Sequence, residues 1–178
     1  MGRFADEGMA ALCVDLVSAE GGTAAMDEGA VQAALAAAPP ARLLDDLRAG
    51  IGELQVRAPG AGVAVVGFCF GGGVVWNLLD AGDDRVAAAV PFYGPVPEAP
   101  DFTDVRAAVL AVYAGRDDRV NATRDRAAAA LAAAGVVHRI ETFDDADHAF
   151  FNDTGSRYDA DAAAEAWELT LNWIVDHT

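Results

Sequence analysis

Apolar and polar positions along this chain follow two alternating rhythms. Short apolar runs bounded by turn residues recur at Met9–Leu16, Gly62–Phe68, Val86–Tyr93, Ala108–Ala114 and Val136–Phe143, and each reads as a β-strand. Between them the spacing becomes helical. Across Ala41–Val56, residues Leu43, Leu44, Leu47, Ile51 and Leu54 fall on one face, and the pattern closes before Arg57 and the turn signal Pro59–Gly60. Gly71–Leu79 opens another helix, and Thr123–Ala134 is an alanine-rich one stopped by Gly135. Asp161–Val175 is a final amphipathic helix with Trp167 and Ile174 on its buried side. The stretch Gly21–Pro40 carries no assignment, because Pro39–Pro40 breaks whatever precedes it. Strands alternating with helices imply a mostly parallel sheet joined by crossovers, an α/β fold in a single domain over 1–178, without repeats or a linker.

Composition narrows the classes of function. A net charge of −16 argues against nucleic acid and anionic membrane as partners, since both require a basic footprint. All 12 basic residues are arginine, a usage that fits either coding bias or adaptation to salt. No run has membrane-spanning length, and no charged segment followed by an apolar one suggests a secretory signal. The two cysteines, Cys13 and Cys69, therefore read as thiols in a reducing, cytoplasmic setting.

The apolar run ending at Phe68 drives into Gly67–Phe68–Cys69–Phe70–Gly71, the outline of a nucleophile elbow with sulfur in place of the usual hydroxyl. A strand-to-helix turn this sharp demands flanks nearly free of side chains, and it presents the central residue at a helix N-terminus. Two further loops follow strand ends. Gly115–Arg116–Asp117–Asp118–Arg119 offers carboxylates, and Asp144–Phe150 contains His148. Nucleophile, acid and base thus occur in the chain order that α/β-hydrolases use. The chemistry needs those types: an imidazole takes the thiol proton, a carboxylate fixes the imidazole tautomer, and backbone amides such as that of Phe70 meet the oxyanion.

Ordinary roles compete for each residue. Cys13 lies inside an apolar run without turn glycines, so core packing is expected of it. His138 sits mid-strand and reads as lining a sheet face, and His177 lies in a mobile terminus. Asp144, Asp145 and Asp147 with His148 form a solvated acidic loop, since no second ligand group stands at a metal-site spacing; neither metal nor cofactor is expected. Tyr93, Trp76, Phe150 and Phe151 are candidates to line a pocket, with core packing the default for each.

The segments GFCFGG, AGRDDRV and DADHAFFN, with EGMAALCVDL and the closing aromatic helix, resemble the dienelactone hydrolase family from about Gly8 to the C-terminus. The resemblance implies an α/β-hydrolase fold and a triad of Cys69, Asp117 and His148 acting on small esters or lactones. It prefers Asp117 over Asp118, because the family's acid stands two residues after the glycine that is Gly115 here. Tyr93 and Phe150 are placed near the substrate, together with Asn152, which occupies the position of the arginine that grips the substrate carboxylate in typical members. Arg116 or Arg119 could take over that grip. The family also opens with one or two further strands and a glutamate-bearing loop that supplies a second oxyanion amide, so this chain reads as N-terminally shortened. An open sheet edge there would admit a second copy of the chain. The alternative to an enzyme is a catalytically impaired relation that serves as an interaction module.

Overall fold

Four parallel strands run in simple sequence order, β1 (Val63–Phe68), β2 (Val86–Phe92), β3 (Ala108–Ala114) and β4 (His138–Phe143). The computed structural model describes residues 2–178. By its backbone contacts the chain divides into two compact units, Met1–Ala61 and Gly62–Thr178.

The second unit is built on the sheet. β2 and β3 read as continuous small and branched apolar residues, and nearly every position in them is buried, as strands covered on both faces require. Helix α4 (Phe70–Asp80) returns the chain from β1 and packs on β1 and β2. A short helix α5 (Asp118–Asn121) and helix α6 (Arg124–Ala133) join β3 to β4. The last helix, α7 (Ala160–His177), lies against β2 and β3. Its Ala163 and Ala166 let the helix approach Val90, Phe92, Leu110 and Val112 closely, with Leu169 and Trp173 filling the flank. The Trp173 indole N–H donates to the Ala108 carbonyl at 3.2 Å, which satisfies the one polar atom of a large apolar side chain. Asp159 caps α7 by accepting from the Ala162 amide at 3.0 Å.

The first unit contains α1 (Gly2–Asp6), α2 (Glu28–Ala37) and α3 (Pro40–Arg57). α2 occupies the stretch left unassigned from sequence. Asp27 accepts from the Ala30 amide at 2.8 Å as the N-cap, and the helix ends before Pro39–Pro40. Pro40 at the first helical position then starts α3, whose Leu43 and Ile51 are buried as the spacing required.

Met9–Leu16 corrects an expectation. It is not a strand, and the sheet takes no member from it. Its bonds run to side chains instead: Arg42 donates to the Leu16 carbonyl at 3.1 Å, and the segment's own Asp15 carboxylate accepts from the amides of Val17 and Thr23 beyond it. Gly50 of α3 leaves room for Val14, whose methyl would lie 2.6 Å from an added Cβ. An apolar run becomes a strand only when a neighbour offers a ladder. With no ladder here, Cys13 is exposed and not packed in a core. No helix of the described residues is long and apolar enough to cross a membrane.

Candidate active site

Cys69 stands between β1 and α4 with φ 54° and ψ −114°, a backbone conformation that L-residues avoid. Such strain costs about 1–3 kcal/mol and persists only where the surroundings over-determine it. Here they do. The Cys69 amide donates to the Phe92 carbonyl at 3.0 Å, and its carbonyl accepts from Gly73 at 3.1 Å. Gly67 has no space for a side chain, because a Cβ there would lie 2.2 Å from the Gly71 carbonyl oxygen. The bareness of Gly67 is thus explained by a contact distance.

The acid and the histidine come from adjacent loops that are fastened together. Gly115 donates to Phe143 at 2.8 Å and Arg116 to Ala146 at 3.0 Å, while a Cβ on Gly115 would lie 2.2 Å from the Asp144 carbonyl oxygen. Arg116 and Asp145 add an ion pair at 3.3 Å. Asp117 caps α5, accepting from the Val120 amide at 3.2 Å through one carboxylate oxygen. Its other oxygen accepts from His148 Nδ1. Asp118 is exposed, so the carboxylate that meets the imidazole is that of Asp117.

His148 Nε2 lies 3.0 Å from Cys69 Sγ. With Nδ1–H held by Asp117, Nε2 accepts the proton of a neutral thiol or donates to the thiolate formed when that proton crosses. The hydrogen bond to His148 holds the Cys69 thiol below its ordinary value of 9.0, against the opposing effect of burial. The charge of His148, the Phe70 amide and the more distant Arg119 guanidinium act in the same sense. His148 is raised above 6.5, first by its bond to Cys69 and then by Asp117, again with burial opposing. Both shifts favour one species, thiolate beside imidazolium, and the two groups titrate as a pair. The Phe70 amide is the first of α4 and has no partner within the helix, so it is available to negative charge at this point.

The remaining expected residues are placed differently. Tyr93 is 2% exposed, with its ring centroid 5.0 Å from that of His148. Phe150 corrects an expectation: it is 0% exposed, packed among Phe143, Tyr93 and the α7 alanines, and offers no surface to a ligand. Asn152 is exposed and closes a turn, its side-chain oxygen accepting from the Thr154 amide and hydroxyl. Trp76 is buried and stacks on Phe102. The aromatic surface at the nucleophile is supplied by Phe68 and Phe70, 37% and 39% exposed, with Phe151 stacked on Phe68 at 5.2 Å. Phe68 was overlooked in the sequence because a strand's last apolar residue reads as core. The other histidines stand apart: His138 bonds the Val136 carbonyl, and His177 ends α7 against Trp173. Among the described residues no group of three or more His, Cys, Asp or Glu is arranged to hold a metal ion.

Comparison with known proteins agrees with this picture. A relative from Methylorubrum extorquens, named "Putative carboxymethylenebutenolidase", is 30% identical over 97% of this chain and 64% of its own length. One of the same name from Synechocystis sp. is 35% identical over 72% of this chain and 56% of its own. The chain therefore spans less than two thirds of the length of these relatives. Among solved structures, a dienelactone hydrolase-like promiscuous phosphotriesterase from metagenomic libraries has a TM-score of 0.80 at 25% identity, covering 98% of this chain and 77% of that one. A dienelactone hydrolase structure from Klebsiella pneumoniae, titled "Putative", has a TM-score of 0.74 at 25% identity, over 85% and 68%. An α/β hydrolase from a deep-sea metagenome shares the fold at 18% identity and a TM-score of 0.63. The sequence profile of the family described as "Dienelactone hydrolase family" matches residues 1–178. With relatives, fold and profile all agreeing, this chain belongs to the dienelactone hydrolase family.

Proposed function

We propose that the protein hydrolyses small carboxylic esters or lactones through Cys69, His148 and Asp117. The observation that carries this reading is the 3.0 Å approach of His148 Nε2 to Cys69 Sγ, with Nδ1 of the same ring held by Asp117. Membership of a hydrolase family supports it.

In the first half-reaction the thiolate attacks the carbonyl carbon, and the C=O electron pair moves onto oxygen beside the Phe70 amide. As that oxygen re-forms the carbonyl, the C–O bond to the alcohol breaks, and the imidazolium gives its Nε2 proton to the departing alkoxide. A thioester on Cys69 remains. His148 then takes a proton from water, the hydroxide adds to the thioester, and the thiolate leaves with the acid product. Asp117 holds the ring orientation through both half-reactions and stabilises the imidazolium formed in each.

The test is turnover of 4-nitrophenyl acetate and of a simple γ-lactone by the wild-type chain and by Cys69→Ala. Release of the alcohol by the wild type, with a loss of about 10³-fold or more in the variant, is the expected outcome. Equal rates in the two proteins would remove Cys69 from the mechanism.

A further inference from the structure

Tyr93 is a residue to which the hydrolytic cycle gives no task, and its geometry is unlike that of a core filler. It follows β2 with φ 34°, a left-handed conformation rarely adopted by a bulky side chain. Its amide donates to the Val112 carbonyl at 2.7 Å, so the strained residue is anchored in the sheet. One neighbour of its ring is the His148 imidazole, 5.0 Å away and tilted by 58°. Another is Phe150, 5.6 Å away and nearly edge-on, and itself wholly buried. The Phe151 amide bonds the phenol oxygen. Tyr93 therefore grips residues 148, 150 and 151 of the histidine loop, whose own backbone bends through Ala149 at φ 67°.

The residue before it completes the picture. Phe92 accepts the Cys69 amide through its carbonyl. Two consecutive residues at the end of β2 thus hold the two reacting partners, Phe92 the nucleophile's backbone and Tyr93 the base's ring. We propose that Tyr93 is a positioning residue, whose ring keeps the His148 imidazole turned so that Nε2 faces Cys69 Sγ. This rests on the Cys69–His148 reading of the site. The titratable and charged groups around the ring pair are Cys69, Asp117, Arg119 and Arg157, with the Tyr93 phenol itself pushed up by burial and so neutral throughout the working range.

The experiment uses the full chain with Cys13→Ser, so that Cys69 is the one thiol. Tyr93→Phe keeps the ring, while Tyr93→Leu and Tyr93→Met fill the space without it. The pH midpoint for alkylation of Cys69 by iodoacetamide, kcat and KM for 4-nitrophenyl acetate, and the melting temperature are measured for each. Tyr93→Phe is expected to keep the midpoint and to hold kcat within about twofold. The Leu and Met variants are expected to shift the midpoint up by about one pH unit. They should lower kcat by about tenfold or more with KM nearly unchanged, because a misaligned base acts on the chemical step. A folded Leu or Met variant with the wild-type midpoint would overturn the proposal. So would equal losses in Phe and Leu, which would assign the effect to the hydroxyl. Failure of both Leu and Met to fold while Phe folds would make the ring a structural support, and would overturn it too. The alkylation midpoint needs no ester turnover. A wild type that turns over no ester would sink the hydrolytic reading alone.

Discussion

Two segments of this chain look alike on paper, Met9–Leu16 with Cys13 and Gly62–Gly73 with Cys69. Each is an apolar run carrying a cysteine, yet they share little in the folded protein. The second joins a parallel ladder with β2, stops at a crowded turn and presents its thiol to an imidazole. The first finds no ladder; Arg42 donates to its Leu16 carbonyl, its Asp15 carboxylate accepts from the Val17 and Thr23 amides, and Cys13 is left at the surface. Reactivity at a cysteine is thus a property of its mounting: a strained φ, bare neighbours and a base at 3.0 Å.

The largest blow to that contrast is His148→Ala. It should lower ester turnover by about 10²–10⁴-fold, the usual worth of a positioned acid–base group. It should also bring alkylation of Cys69 close to that of Cys13. A rate advantage surviving in His148→Ala would place the activation of the thiol elsewhere. Next comes the turn. Gly67→Ala forces a methyl against the Gly71 carbonyl oxygen and is expected to cost about 1–3 kcal/mol in urea unfolding.

Smaller effects sharpen the comparison. At neutral pH Cys69 should be alkylated about tenfold faster than Cys13, because its hydrogen bond to His148 lowers the thiol. The sign follows from the two shifts: the thiol is lowered and the imidazole raised, so both favour the ion pair over the neutral pair. Alkylation of Cys69 declines as pH falls through the lowered thiol value, and ester turnover declines as pH rises through the raised imidazole value. Peptide mapping after timed labelling separates the two sites. The smallest effect is that of Cys13→Ser, expected to change stability by no more than about 0.5 kcal/mol and turnover not at all.

The site was more legible in the sequence than the first 61 residues were. A sharp turn at a strand end needs glycine where the chain closes on itself, and Gly67 and Gly115 mark two such points. The acid and base had to follow strand ends, so Asp117 and His148 stood out by order. Strand Met9–Leu16 could not be judged that way, because pairing is a property of two segments and a sequence displays one. The burial of Phe150 was not legible for a related reason. Which side of a loop an aromatic ring faces depends on the backbone turns beside it, here Ala149 at φ 67°, and an alanine gives no hint of that. The left-handed Tyr93 was hidden in the same way.

The bareness of Gly115 has a last consequence. Because the Asp144 backbone presses against it, the loops bearing Asp117 and His148 form one piece, whereas Cys69 rides on a different strand. The His148–Asp117 contact is therefore made independently of the residue at position 69. Exchanging sulfur for oxygen there would leave that contact in place, so a single substitution changes the attacking atom of the proposed mechanism while its acid and base stay assembled.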